Sequence, residues 1–249
     1  MENNWTFRRT PNSPASWPAD AFPIWASILA LIAALAIYLA SALYLVRAFA
    51  ISAQSIRAVE LTRGMVEAQV VSYVPILAYM TLVLPWLARR RLSAILGPLH
   101  GPQVLAGLGG AIMMWLAVTI VAAIQAGFIG HQPTQTAIKL FENAQPGLWL
   151  DVMAVVAVTL APFAEELVFR GFIFNALWKR LPFSLSALAS GIIFGIAHGQ
   201  AAGIAPLAAG GFVLAAVYAR SGSLWSSMIA HGTFNGITLM LLLVAGIKT

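Results

Sequence analysis

The chain has 249 residues, of which 60% are hydrophobic and 9% are charged, and its formal net charge is +6. Soluble proteins are about a quarter charged, so this chain has too few charges to cover a water-facing surface and needs lipid as a solvent for much of its length. The basic residues lie between apolar runs rather than on one face, which is typical of membrane loops and not of a nucleic-acid-binding surface. The chain has no cysteine, which excludes disulfides, a thiol nucleophile and thiolate-bound zinc.

The apolar runs predict an all-α fold, a polytopic membrane helix bundle of about seven transmembrane helices, because a spanning helix requires about 20 mainly apolar residues. The fifth and sixth runs are short for a span, so we expect them to be tilted or partly covered by their neighbours. In chain order, the predicted spans are Phe22–Phe49, Ala68–Ala88, Gln103–Ile129, Leu148–Trp178, Phe183–His198, Ala205–Tyr218 and Leu224–Ile247.

The chain divides into three regions within one integral membrane domain. Residues 1–21 are mostly polar and contain prolines, which predicts a disordered N-terminal segment. Residues 22–147 hold the N-terminal transmembrane helices, and residues 148–249 hold the helical core with the candidate catalytic groups. Between the first two spans, Ser52–Glu67 has charged residues at helical spacing, which predicts an amphipathic helix at the membrane interface.

Basic residues at the span ends predict the orientation of the bundle. Arg89, Arg90 and Arg91 close the second span, so this end is expected to be cytoplasmic. Alternation of the spans then places the N-terminus in the cytoplasm and the C-terminus outside. The high content of Ala and Arg is consistent with a bacterial source, and we expect the protein in the inner (cell) membrane.

The fourth predicted span contains three charged residues, Glu165, Glu166 and Arg170, which are costly inside a bilayer and therefore mark a candidate site. Glu166 and Arg170 are four residues apart and share one helix face, so we expect them to form an ion pair. Glu165 points about 100° away and lacks a local partner, which leaves it available as a general base or acid. Pro162 removes a helical hydrogen bond and is expected to kink this span.

Two later spans carry further polar groups. His198 ends the fifth, and His231 lies in the seventh with Asn235 one turn further along the same face. Their distances from the cytoplasmic span ends place them near the depth of Glu165, so we expect one intramembrane polar cavity, reached from the cytoplasmic side. His100 and His131 fall in loops and carry no such signal.

Each of these groups also has a purely structural interpretation. A buried Glu–Arg pair is usually structural, and a single histidine or asparagine in a membrane helix often only bonds a neighbouring helix. The combination favours chemistry, because no packing requirement places all of these groups in one half of the chain.

Three motifs carry a family resemblance. Glu165–Arg170 resembles the EExxxR motif of the CPBP family, which contains the CAAX proteases and bacteriocin-processing enzymes and is also called the Abi family. Phe194–His198 resembles its FxxxH motif, and His231–Asn235 resembles its HxxxN motif. The motifs occur in the family's order, and the resemblance covers roughly Leu148–Ile247.

The resemblance implies an intramembrane endopeptidase that cleaves membrane-associated or prenylated, CAAX-type proteins. Glu165 and His198 would hold and deprotonate the attacking water, while His231 and Asn235 would stabilise the oxyanion. Arg170 would fix Glu166 and the helix. The implied partners are the lipid bilayer and a membrane-associated or lipidated protein or peptide, with no nucleic acid.

Alternatives to this interpretation concern the metal and the activity. Zinc could be bound by Glu165, His198 and His231 with a water as the fourth ligand. The chain lacks an HExxH motif, and the resemblance favours a reaction without a cofactor. A non-catalytic scaffold or bacteriocin immunity protein, and a proton-coupled transporter, are the alternative functions; the sequence shows no internal repeat of the transporter kind.

Overall fold

The computed structural model describes residues 17–51, 61–129, 136–142 and 144–243, and every regular element within these ranges is helical. In chain order the elements are α1 (Ile24–Ala48), α2 (Arg63–Ala88), α3 (Leu92–Leu96), α4 (Gly101–Ile129), α5 (Thr136–Glu142), α6 (Leu148–Val158), α7 (Leu160–Glu166), a π-helical segment (Leu167–Phe174), α8 (Asn175–Trp178), α9 (Phe183–Ala197), a 3₁₀ turn (Ala201–Gly203), α10 (Ile204–Ser221) and α11 (Leu224–Leu243).

Within the described residues, 6 helical stretches are long and apolar enough to cross a membrane. They are α1, α2, α4, the continuous stretch from α6 to α8, the 3₁₀ turn with α10, and α11. Helix α9, with 15 residues, is shorter, as its sequence predicted. The 3₁₀ turn before α10 lengthens the sixth predicted span to 21 residues. The predicted polytopic helical bundle is therefore confirmed.

The segment predicted as an interfacial helix, Ser52–Glu67, lies partly outside the described residues, because residues 52–60 are not among them. The remaining charges of the segment belong to the first turns of α2. Arg63 and Glu67 form an exposed i,i+4 ion pair there, with 2.7 Å between Nε and Oε1. Thr62 caps this helix by accepting a hydrogen bond from the backbone N–H of Met65.

Small residues allow the core helices to approach closely. A Cβ atom added at Gly191 in α9 would lie 2.5 Å from the backbone oxygen of Ala208 in α10, so these two helices touch through their backbones. In α4, a Cβ at Gly107 would lie 2.7 Å from Ile229 of α11. Such packing is the usual means of association for helices in lipid, where no hydrophobic force drives them together.

The end of the predicted disordered segment 1–21 is packed against the bundle, while its residues before 17 lie outside the described part of the chain. Phe22 is fully buried, and its N–H donates to the backbone oxygen of Leu87 at 2.7 Å. The Lys179 ammonium group donates to the backbone oxygen of Pro18 at 2.8 Å. Residues 17–21 therefore differ from the expected disorder, because aromatic burial and these hydrogen bonds hold them.

The fourth span is interrupted between α6 and α7, where the sequence predicted a kink. Thr159 has φ −119° and ψ −67°, outside regular helical geometry. Pro162 has no N–H to offer the carbonyl oxygen of Val158, which explains a break at this point. Gly232 of α11 packs directly against this carbonyl group. A Cβ atom added at Gly232 would lie 2.4 Å from the carbonyl oxygen, so only glycine fits without a shift. The break thus brings α11 against the span that carries the acidic residues.

Candidate active site

Glu166 and Arg170 form the predicted ion pair at the start of the π-helical segment. Arg170 Nη1 lies 2.7 Å from Glu166 Oε1, and both side chains are 0% exposed. The pair predicted from the four-residue spacing is thus confirmed. Because burying either charge without its partner would be very unfavourable, each of the two side chains can be buried only when the other is present.

Arg170 also connects the fourth span to two other helices. Its Nη2 donates to the backbone oxygen of Gly211 in α10 at 3.0 Å. Its guanidinium lies 4.9 Å from the ring centroid of Phe194 in α9. These contacts fix Arg170 in place, and Arg170 in turn fixes the Glu166 carboxylate.

Glu165, one residue earlier, faces a different environment. Its side chain remains 25% exposed and lines a cavity of about 760 Å³. The same cavity is lined by His198, His231 and Asn235, so the structure brings together four of the six predicted site residues around one space. Glu166 and Arg170 lie behind this wall. The helical rotation between adjacent residues therefore separates the two carboxylates as the sequence predicted.

His231 lies between the two carboxylates. Its Nδ1 is 3.1 Å from Glu166 Oε1, and its Nε2 is 3.9 Å from Glu165 Oε2. A carboxylate paired with Arg170 can only accept hydrogen bonds, so Nδ1 of His231 carries the hydrogen. In the neutral ring, Nε2 then presents a lone pair toward Glu165, and it becomes a donor only when the ring takes up a second proton.

His198 follows the last turn of α9 and is exposed to the cavity. Its Nδ1 is 2.8 Å from the backbone oxygen of Phe194, which can only accept, so Nδ1 carries the hydrogen and Nε2 is free to act as a base. The Phe194 ring lies between the two histidines, with centroids 4.6 Å from His198 and 5.7 Å from His231. This ring separates the two imidazoles and gives each of them an apolar neighbour on the side that faces the other.

Asn235 lies one turn after His231 on α11. Its Nδ2 donates to the backbone oxygen of Ala157 at 2.7 Å, next to the break in the fourth span. The side-chain amide has two hydrogens, so one remains to face the cavity. His100 lies at the start of α4, outside this cavity's lining, and His131 lies outside the described residues.

The cavity extends from this cluster toward the bundle end that is opposite to Arg89–Arg91. Its wall includes Leu140 and Phe141 of α5 and Leu242 at the end of α11. The sequence predicts an entrance at the arginine-rich end, because the depths of the polar residues are counted from that end of each span. The lining residues instead lie in the other half of the bundle, away from Arg89–Arg91. Which end faces the cytoplasm stays a prediction.

The donors that a zinc ion would need are only partly in place. Free Nε2 atoms on His198 and His231, each oriented by a hydrogen bond at Nδ1, suit metal ligands. Across the described ranges, however, no three His, Cys, Asp or Glu side chains converge as a group that could hold a metal ion. Glu165, His198 and His231 therefore do not form a zinc site in this arrangement, and the absence of a cofactor stays a prediction.

The structure adds polar cavity residues that the sequence interpretation did not single out. Gln69 and Tyr73 of α2 also line the cavity. Gln125 of α4 also lines it and donates from Nε2 to the backbone oxygen of Ala202 at 2.9 Å. The four-residue spacing of Gln69 and Tyr73 within an apolar span was a usable signal, because it places two polar groups on one helix face.

The part of the chain that holds this site is similar to proteins that are described as peptidases. A family model described as "Type II CAAX prenyl endopeptidase Rce1-like" matches residues 147–237. The protein named "Putative membrane peptidase YdiL" of Bacillus subtilis (strain 168) is 26% identical over 176 residues, which cover 69% of this chain and 70% of that protein. No solved structure matches the chain significantly. The region matched by the family model contains all three motifs and the six site residues that the sequence predicted.

Proposed function

We propose that the chain is an intramembrane endopeptidase of the CPBP family that hydrolyses peptide bonds of membrane-associated proteins, prenylated CAAX-type proteins among them, and the family model and the similar membrane peptidase support this proposal. The observation that carries the proposal is the separation of the two carboxylates. Glu166 is fully buried against Arg170, while Glu165 reaches the cavity with His198 and His231. A purely structural pair would not need the second, exposed carboxylate.

In this proposal Glu165 and His198 activate the attacking water. Glu165 has a partly exposed carboxylate, and His198 offers a free Nε2, so both can accept hydrogen bonds from a water in the cavity. A positioned general base of this kind contributes about 10²- to 10⁴-fold to a hydrolysis rate. The apolar surroundings, including Phe194, exclude bulk water from the reacting carbonyl.

His231 and Asn235 stabilise the oxyanion of the tetrahedral intermediate. The proton that Glu165 takes from water can pass to Nε2 of His231, 3.9 Å away, which turns this nitrogen into a donor to the oxyanion. When the intermediate collapses and the C–N bond breaks, this proton passes to the leaving amine. Asn235 contributes the amide hydrogen that Ala157 does not use. Such donors in a water-excluded site are each worth about 3 kcal/mol or more.

The reaction is proposed to need no metal. Purified protein treated with a strong chelator should keep its activity, because the side chains alone supply the base and the donors. Loss of activity that added Zn²⁺ restores would replace this mechanism by the zinc alternative.

Reconstituted protein tests the activity itself. Vesicles that contain the purified chain would be supplied with a set of membrane-spanning and prenylated peptides, and products would be identified by mass spectrometry. We expect cleavage by the wild type and by His100→Ala, whose histidine lies outside the cavity, and no cleavage by His198→Ala. Equal cleavage by all three proteins would contradict the assignment, and no cleavage by any would favour a scaffold.

A further inference from the structure

The N-terminal half of the chain contributes two polar side chains to the cavity. Gln69 and Tyr73 lie one turn apart on α2 and line the same cavity as Glu165. Helix α2 packs against α6, α7 and the π-helical segment, so its position is fixed relative to the acidic motif. Neither residue belongs to the three motifs.

Tyr73 carries a phenolic hydroxyl on the cavity wall, beside Gln69 one turn earlier. The Gln69 side chain is a hydrogen-bonding neighbour of this phenol. Its amide has two hydrogens to donate, and a phenol oxygen that accepts one of them keeps its own O–H available as a donor. Glu165 lines the same cavity, and its carboxylate is among the charges that act on the phenol.

One oxygen of the Glu165 carboxylate lacks a hydrogen-bond donor within the described part of the chain. Its Oε2 is buried and makes no hydrogen bond among the described residues, and His231 Nε2 lies 3.9 Å from it. A buried carboxylate oxygen without a donor is unfavourable, and a carboxylate held at one side only can rotate away from its water. A donor from the α2 side would satisfy both requirements.

We propose that Tyr73 is a positioning residue for Glu165: its phenolic O–H, oriented by Gln69, hydrogen-bonds the Glu165 carboxylate directly or through one bridging water. The inference rests on the proposed function, since it assigns Glu165 as the base. It gives the N-terminal helices a part in the reaction. Hydrogen bonds from a hydroxyl to a carboxylate are short and about twice as strong as neutral ones, so a single donor can fix the base.

The same helix offers a structural tyrosine for comparison. Tyr79 donates from its hydroxyl to the backbone oxygen of Ala30 at 2.9 Å and thereby ties α2 to α1. It does not line the cavity. Tyr73→Phe and Tyr79→Phe each remove one hydroxyl from α2, so Tyr79→Phe is the matched control.

The experiment compares steady-state kinetics of these variants in vesicles, with a membrane-spanning peptide that the wild type cleaves. We expect Tyr73→Phe to lower kcat about 10- to 100-fold with KM within about twofold of wild type, as for a lost positioning contact. Gln69→Leu should act in the same direction with a smaller loss. Tyr79→Phe should leave both constants unchanged, and Tyr73→Phe should melt at the wild-type temperature.

Three results would overturn the inference. A kcat for Tyr73→Phe within about twofold of an active wild type would remove the role of the hydroxyl but keep the proposed protease. A fall in kcat accompanied by an equal loss of folded protein, or shared equally by Tyr79→Phe, would make Tyr73 structural. A wild type that cleaves no peptide would remove the proposed function and the inference with it.

Discussion

Replacement of Arg170 by methionine tests the buried ion pair most directly. Arg170 and Glu166 are both 0% exposed, with 2.7 Å between Nη1 and Oε1, so Arg170→Met leaves a carboxylate buried without its cation. Loss of one partner of such a pair costs about 3–5 kcal/mol. His231 lies 3.1 Å from the same oxygen and can take up a proton, which places the expected loss near the lower end, about 3 kcal/mol.

For a chain of this length, each kcal/mol corresponds to about 2–4 °C in melting temperature, so Arg170→Met should melt about 6–12 °C below wild type. The assay is thermal unfolding in detergent micelles. The double variant Glu166→Gln with Arg170→Met is the control, because it leaves no unpaired charge and the introduced amide oxygen can still accept from His231. It should recover most of the loss. A single variant as stable as wild type, or a double variant no more stable than the single one, would show that Arg170 does not stabilise the protein by neutralising Glu166.

Three further predictions follow from the cavity and the helix contacts. Asn235→Ala should lower kcat about 10²- to 10³-fold, as for a lost oxyanion donor, in the vesicle assay. Gly232→Ala should reduce the yield of folded protein, because its Cβ would lie 2.4 Å from a backbone oxygen, whereas Gly109→Ala, with open space around it, should not. Because the chain has no cysteine, single-cysteine variants can map its orientation. In intact cells, Lys139→Cys should react with an impermeant maleimide and His100→Cys should not; the reverse pattern would invert the predicted orientation.

The site features that the sequence predicted are those that local helix geometry determines. The four-residue spacing of Glu166 and Arg170 puts both on one face whatever surrounds them, and the adjacent Glu165 must then point elsewhere. The break near Pro162 follows from its missing N–H. These expectations need no knowledge of tertiary packing.

Features that depend on packing between distant segments were not predictable in the same way. His231 bonds Glu166 across 65 positions in sequence, and Tyr73 reaches the cavity only through the position of α2. In a membrane, the faces toward lipid and toward neighbouring helices are similarly apolar, so the sequence contains little contrast to predict which face lines a cavity. Which half of the bundle holds the cavity was not predictable for the same reason.

The composition of the N-terminal segment did not predict how its last residues pack. Its prolines and polar residues favour disorder, yet Trp17 and Phe22 are buried and their rings stack with 4.9 Å between centroids. Two aromatic side chains suffice to hold a short polar segment when a bundle offers a site for them.

The proposed role of Glu165 as the base of a protease can be tested in cells through the protein termini that they contain. Cells that produce wild type, Glu165→Gln or the control Glu67→Gln at equal levels would be compared by mass spectrometry of new N- and C-termini in membrane proteins. Glu67 forms a surface pair with Arg63 and lies outside the cavity's lining, so its substitution should change nothing. Our expectation is that such termini appear with wild type and Glu67→Gln and are absent with Glu165→Gln. Identical termini in all three would contradict it.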